Sequence, residues 1–360
     1  MNFDWSDEQA LMRATIERFG DERGGLDRER RRRQRALPGG FDRDGWAELG
    51  RLGVLALPFA ASAGGLGGGP VDLVAAAEPV GAKLLLEPVS ECAVMAGTLL
   101  EAAGSAHLAH LMAGRHVPAA ALLERGGRWN LAHVATRAER RDGRWILSGA
   151  KSAVWQGGAA DLFVVSARLE GDVRDTRGVA LFAVPAERVR VRTWAAADGS
   201  LAAELELHEA EAERLETDAW AALEAARTRF RLAAAAEMLG IARMLFAATL
   251  DYVKGRVQFG QPIGRFQAVQ HRLVDAHVAL EQAQSLLWRA AIDHEPRLVA
   301  GMHAYVAEAA IRVAHEAVQF HGGMGVTDEL VVGHGLKRIR VLAAQWGDAT
   351  MGLDRFLAAA

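Results

Sequence analysis

The sequence predicts an α+β protein, and three observations carry that prediction. Apolar residues recur with helical period through residues 1–117. The stretch 118–215 breaks into short β-rich runs separated by Gly, Asp and Pro, and helical period returns over 216–360. Helices, then strands, then helices again is a segregated order rather than alternating βα units. The expected organisation is an N-terminal helical domain (1–117), a middle antiparallel β-domain (118–215) and a C-terminal bundle of antiparallel helices (216–360).

The first helix announces itself at Ser6, a cap residue followed by Asp7, Glu8 and Gln9 in the turn where the helix end is positive. The basic run RERRRRQR (28–35) reads as a solvated helix face, and the LPGG that follows it breaks the helix. ASAGGLGGG (61–69) lacks the Lys-Ser/Thr ending of a phosphate loop and follows no clear strand, so a flexible surface loop is expected. In the middle stretch, RWILSGAK, ADLFVVSAR, GVALFAVPA, VRVRTW and LAAELELHE read as strands, with RRDGRW and RDTRG as hairpin turns. The long apolar run at 232–250 is interrupted by Glu237 and Arg243 and rich in alanine, which favours a buried bundle helix over a membrane span.

A net charge of -3 gives no electrostatic reason to expect nucleic acid as a partner. Cys92 is the single cysteine, so no intrachain disulfide can form. The acidic opening MNFDWSDEQALMR, which lacks the pattern of a signal peptide, and the reduced cysteine point to a cytoplasmic protein without a membrane anchor. No G-x-S-x-G elbow occurs, and His107 and His110 lack neighbouring ligands, so neither a serine hydrolase nor a metal site is expected.

Three features of the C-terminal stretch could carry chemistry. In RVQFGQPIGRFQAVQHRLVDAHVALEQA (256–283), Arg256 stands at a helix end where a guanidinium can bind a pyrophosphate, with Gln258 and Gln267 as neutral donors nearby. A helix corner with a solvated arginine is the competing reading. In AVQFHGGMGVTDE (317–329), Gly322 and Gly323 would let a ligand approach backbone N–H groups, with Gln319 one turn earlier; a plain helix C-cap is the alternative. In RLAAAAEMLGIARMLF (231–246), Glu237 sits among apolar neighbours. It suits a general base tuned by desolvation, or the buried partner of an arginine such as Arg231 or Arg243.

Taken together, R-x-Q-F-G-x-P-I-x-x-F-Q and the later Q-x-H-G-G-x-G-x-T-x-E resemble the acyl-CoA dehydrogenase family over essentially the whole chain. More narrowly, GRWNLAHVATRA, DGSLAAELEL and VVGHGLKRIRVLAAQWGD are similar to the small subunits of heteromeric bacterial members such as the pimeloyl-CoA type. The resemblance implies the family's three-domain fold, ending in a four-helix C-terminal domain, and FAD as cofactor. It implies that Arg256, Gln258 and Phe259 meet the adenosine diphosphate of a neighbouring subunit's FAD, with Gln319, Gly322 and Gly323 completing the contact. It also implies an oligomer, a tetramer of one or two kinds of chain, acting in fatty acid metabolism on an acyl-CoA and passing electrons to an electron-transfer flavoprotein or similar acceptor.

Departures from the family pattern matter as much. Leu123 and Trp129 stand where the family's middle domain carries hydroxyls, and Trp155 replaces a threonine that contacts the flavin. α,β-Dehydrogenation needs a carboxylate to take the α-proton while the flavin takes the β-hydrogen as hydride. The position of the best-known family glutamate is Trp346 here, which cannot take a proton. Asp348 lies two residues further, about 200° around a helix, where a capping or surface role is expected. Glu237 is therefore the expected base. The alternatives are a non-catalytic subunit that completes the FAD site of a partner chain in a heterotetramer, and a flavin-dependent oxygenase on the same fold.

Overall fold

The computed structural model describes residues 4–358. Its chain forms two compact units whose segments are not consecutive. The helical unit comprises the residues up to Arg32, Pro70–Leu85 and the chain from Arg231 onward; the sheet unit comprises Arg33–Gly69 and Leu86–Phe230. The N-terminal helices are thus divided between the two units rather than gathered into one of their own.

Before the sheet come α1 (Asp7–Arg23), α2 (Arg28–Arg35), α3 (Arg43–Arg51), α4 (Pro70–Ala82), α5 (Gly97–Ala102) and α6 (His107–Met112). α1 begins with a capping box: Gln9 N–H donates to the Ser6 hydroxyl, and Ser6 N–H donates to the Gln9 side chain. Within α2 the basic face is solvated except at Arg31, which is buried and donates to the carbonyls of Gly25 and Leu84. The loop at 61–69 is glycine-rich for close packing: a Cβ at Gly65 would lie 2.2 Å from the Phe59 carbonyl oxygen, and one at Gly68 2.7 Å from that of Leu57.

The sheet unit holds β1 (Pro118–Ala121), β2 (Arg137–Arg141), β3 (Arg144–Trp155), β4 (Leu162–Arg168), β5 (Val179–Pro185), β6 (Arg190–Ala195) and β7 (Leu201–Leu215). Strand order is β1-β4-β2-β3-β7-β5, with β5 also paired to β4 and β6 lying on β7. Most pairings are antiparallel, as expected, but β1 runs parallel to β4, and β2 makes one parallel bridge to it. β1 and β4 are separated in the chain by the β2–β3 hairpin, so a parallel return is open to them. Alternate side chains of the strands, among them Leu147, Phe163, Val165, Phe182, Leu205 and Leu207, form the core. Arg168 is buried at the end of β4, where its guanidinium donates to the carbonyls of Ala132, Val134, Asp175 and Arg177 at 2.9–3.0 Å.

α7 (Ala219–Gly255) leads into the hairpin β8 (Val257–Gln258) and β9 (Gln261–Pro262). α8 (Gln267–Asp293), α9 (Pro296–His321), α10 (Val331–Ala344) and α11 (Ala349–Leu357) follow. α7 is long and apolar enough to cross a bilayer, but its residues 232–242 are buried, which is the packing of a bundle helix. In the helical unit, α9 packs against α8, α10 and α11, and α4 packs against α1 and α8. α4 meets α7 with almost no side chain between them: a Cβ at Gly81 would lie 2.0 Å from the Glu237 carbonyl oxygen, and one at Gly240 2.0 Å from that of Glu78. This close approach, together with the α1–α4 packing, assigns α4 to the helical unit.

Candidate active site

Glu237 projects from the middle of α7 and is 2% exposed. Arg338 of α10 donates to its Oε1 from Nε at 2.8 Å and from Nη2 at 2.7 Å. Two donors on one carboxylate oxygen make a charge-assisted contact that offsets the cost of burying both ions. Of the two readings open to Glu237, the structure shows the ion-paired one: its carboxylate is held by a cation from α10. The arginine arrives from far along the chain. Of the two nearer candidates, Arg243 donates to Glu281 and Gln284, and Arg231 donates from Nη2 to the Trp346 carbonyl at 3.4 Å.

The loop joining α10 to α11 is folded inward. Trp346 is 2% exposed and takes a positive φ of 57°. At Gly347 (φ 126°) a Cβ would lie 2.7 Å from Arg231 Nη2 and 2.9 Å from Met351 Sδ, so no larger residue fits there without displacing them. Asp348 caps α11, its Oδ1 accepting from Met351 N–H at 2.9 Å. His303 of α9 lies in the same unit, fully buried, with neither ring nitrogen in a hydrogen bond to protein. Burial, seconded by the charge of Arg231, pushes its pKa down to about 3.

The residues expected to meet a dinucleotide lie at another place in the helical unit, and they are exposed. Arg256 follows the last turn of α7; its N–H donates to the Tyr252 carbonyl, and its own carbonyl accepts from Ile263 N–H at 2.8 Å, closing the β8–β9 hairpin. Phe259 (φ 53°) and Gly260 (φ 80°) form the hairpin tip, a turn that needs positive φ at both central residues. Phe259 is 92% exposed and meets Phe266 edge-on, with ring centroids 6.1 Å apart. Gln258 and Gln267 are exposed, the latter opening α8. At the end of α9, Gln319 is exposed and its carbonyl accepts from Gly322 N–H. Gly322 has φ 61° and ψ -142°, a conformation open essentially to glycine alone. A Cβ at either Gly322 or Gly323 would meet nothing within 4 Å, so the glycines are not required by packing inside the chain.

Aromatic and cationic contacts tie these segments together. The rings of Tyr252 (α7) and His321 (α9) stack with centroids 4.3 Å apart, and the Arg272 guanidinium (α8) sits 4.9 Å over the Phe320 ring (α9). The structure therefore gathers the hairpin, the start of α8 and the end of α9 at one end of the helical unit. This grouping fits the adenosine diphosphate part of FAD: an exposed guanidinium for the phosphates, an exposed aromatic ring, and a glycine turn with open space above it.

In the sheet unit the three departures from the family pattern are apolar or aromatic. Leu123 is buried at the end of β1, and Trp129 is half-buried beneath the Arg128 guanidinium at 5.2 Å. Trp155 ends β3 with its indole N–H buried and unpaired. These three side chains offer a flavin ring no hydroxyl.

Sequence reading missed one polar network here. Glu124 accepts from Ala135 N–H (2.6 Å), Thr136 N–H (3.0 Å), the Thr136 hydroxyl (2.7 Å) and Lys151 Nζ (2.7 Å), and Lys151 also donates to Ser166. Burial raises the Glu124 carboxyl, but Lys151 and these donors outweigh it and hold the group below its ordinary range. Burial pushes Lys151 down to about 8 against the opposing pull of Glu124. The network pins the chain between Leu123 and Thr136 to β3. Its only sequence signal was an acid and a lysine inside otherwise apolar strand runs.

Comparison with known proteins gives the family. The chain matches the acyl-CoA dehydrogenase N-terminal domain over residues 6–110, the middle domain over 119–210 and the C-terminal domain over 218–355. It is 30% identical to benzylmalonyl-CoA dehydrogenase from Aromatoleum aromaticum over 81% of this chain and 80% of that protein. It is 34% identical to 3-sulfinopropanoyl-CoA desulfinase from Paraburkholderia xenovorans over 60% of each, so the match spans less than two thirds of that relative. Among solved structures, the ChsE4-ChsE5 complex from Mycobacterium tuberculosis is similar at 27% identity and a TM-score of 0.87, over 99% of this chain and 98% of that one. The chain belongs to the acyl-CoA dehydrogenase family, FAD-binding oxidoreductases that act on CH–CH bonds.

Proposed function

We propose that this chain works as one subunit of a heteromeric acyl-CoA dehydrogenase. It supplies the adenosine diphosphate-contacting half of an FAD site whose flavin-ring half, and whose base, belong to a different partner chain. The observation that carries this reading is the fate of the two carboxylates weighed as the base, Glu237 and Asp348. Glu237 is held by Arg338 and Asp348 caps α11, while the residue between α10 and α11 that would occupy the base position is the buried Trp346. Bound FAD supplies the hydride acceptor. This chain's own residues do the binding: Arg256 offers charge to the phosphates, Gln258, Gln267 and Gln319 offer neutral donors, Phe259 offers a ring face, and Gly322 and Gly323 leave room for close approach.

The two-chain composition of the ChsE4-ChsE5 complex supports the heteromeric part of the proposal. The substrate of the assembly is an acyl-CoA, and a reduced flavin in it would pass its electrons to an electron-transfer flavoprotein or similar acceptor. The test is the flavin spectrum of the chain purified alone and purified with a co-expressed longer chain of the same family. Flavin retained only in the co-purified assembly, and bleached there by an acyl-CoA, is the expected result. A chain that alone retains FAD and is bleached by an acyl-CoA would show an autonomous dehydrogenase instead. Oxygen uptake with release of a hydroxylated product would show an oxygenase.

A further inference from the structure

From the geometry we infer that the stacked pair Tyr252 and His321 is a positioning device for the dinucleotide cradle, holding the Arg256 hairpin and the Gly322–Gly323 turn at a fixed separation. The inference rests on the reading of those segments as the adenosine diphosphate site. Tyr252 lies in the last turn of α7, and its carbonyl accepts from Arg256 N–H; His321 is the last residue of α9, immediately before Gly322. The stack therefore joins the two helices at the points from which the two binding segments depart.

Both helices present their C-terminal ends here, and helix C-termini carry partial negative charge from unpaired carbonyls. Two such ends repel each other, and both oppose a phosphate. An anion can settle there only if Arg256 is delivered to it at the right distance. His321 meets this demand twice. It is 7% exposed, its Nδ1–H donates to the Ala317 carbonyl at 2.8 Å, and that bond orients the ring flat against Tyr252 with 27° between the planes and 4.3 Å between centroids. The hydrogen bond thus fixes the imidazole on the last turn of α9, and the ring contact anchors the α7 end. The Arg272–Phe320 contact performs the matching task between α8 and α9, next along the chain. Neither stacked ring is among the residues expected to touch the cofactor, so their role is to place those that do.

The test uses the full-length chain with ADP as the probe, titrated calorimetrically against wild type, His321→Ala, His321→Phe and Arg256→Ala, with hydrogen exchange followed at 256–262 and 322–326. An aromatic pair of this kind is worth about 3- to 10-fold in affinity. His321→Ala should weaken ADP binding by that factor and speed exchange in both segments. His321→Phe, which keeps the ring, should restore both to near wild type, a rescue that a purely volume-filling role confined to one segment would not give. If Arg256→Ala weakens ADP and His321→Ala does not, or if Phe fails to rescue, the positioning role is overturned and the cradle stands. If Arg256→Ala binds ADP as well as wild type, the cradle reading itself is lost.

Discussion

Two regions of the helical unit use polar residues in opposite ways. In its interior, Glu237, Arg338, Arg231 and Asp348 are spent on one another and on the backbone, and Trp346 fills the space between α10 and α11. At the end formed by the hairpin and the α9 turn, Arg256, Gln258, Phe259, Gln267 and Gln319 are exposed, and the glycines face open space. The difference teaches that a carboxylate in an apolar helix is not by itself a base. What decides its role is whether a cation reaches it, and only the fold shows that. Under the proposed function, the groups left exposed at the hairpin and the α9 turn are the ones that serve binding.

The sharpest way to break this contrast is to attack the buried pair. Arg338→Met removes the guanidinium bonded to the buried Glu237 carboxylate and should cost about 3–5 kcal/mol in chemical denaturation. Replacing both residues with apolar side chains of similar volume should recover much of that loss. If Arg338→Met unfolds no more easily than wild type, the interior is not organised by this ion pair.

A second probe is pH. The folded pKa of His303 is pushed down to about 3, below its ordinary value of 6.5, so the unfolded chain binds the extra proton first as pH falls. The stability held above about pH 6.5 is therefore lost between there and about pH 3, with a slope near 1.4 kcal/mol per pH unit from this residue. His303→Leu should flatten the profile across that window, as read by urea midpoints at several pH values. A profile unchanged by the substitution would mean that His303 is solvated. The smallest effect is expected at the loop: Asp348→Ala removes the α11 cap and should cost about 1 kcal/mol while leaving turnover of the assembly intact. Loss of turnover there would return Asp348 to the list of candidate bases.

Much of the fold was legible in the sequence because it rests on local signals. The Ser6 to Gln9 capping box, the strand runs that became β3 to β7 and the bundle helix across 232–250 all follow from period and turn chemistry. The grouping into units was not legible. It depends on α4 lying against α7 through Gly81 and Gly240, and no local pattern marks a glycine as a helix contact. The parallel pairing of β1 with β4 escaped for the same reason, since register between distant strands is a tertiary property.

The site shows the same division. Arg256, Gln258, Phe259, Gln267, Gln319, Gly322 and Gly323 could be singled out as motif residues, and the positive φ at Gly322 supplies a physical reason for one of those two glycines. Spacing pointed to Arg231 or Arg243 as the partner of Glu237, and the fold instead brought Arg338, 101 residues along the chain. Glu124 and Lys151 were passed over because each looks unremarkable until the strands bring them within 2.7 Å.

The central claim is that Glu237 holds the bundle together and does not take the substrate's proton. Its most direct test is acyl-CoA bleaching of the flavin in the co-purified assembly carrying Glu237→Gln, measured under conditions where the variant is folded. The account predicts bleaching at the wild-type rate with a lowered unfolding midpoint. A variant that keeps its flavin but is no longer bleached would contradict it.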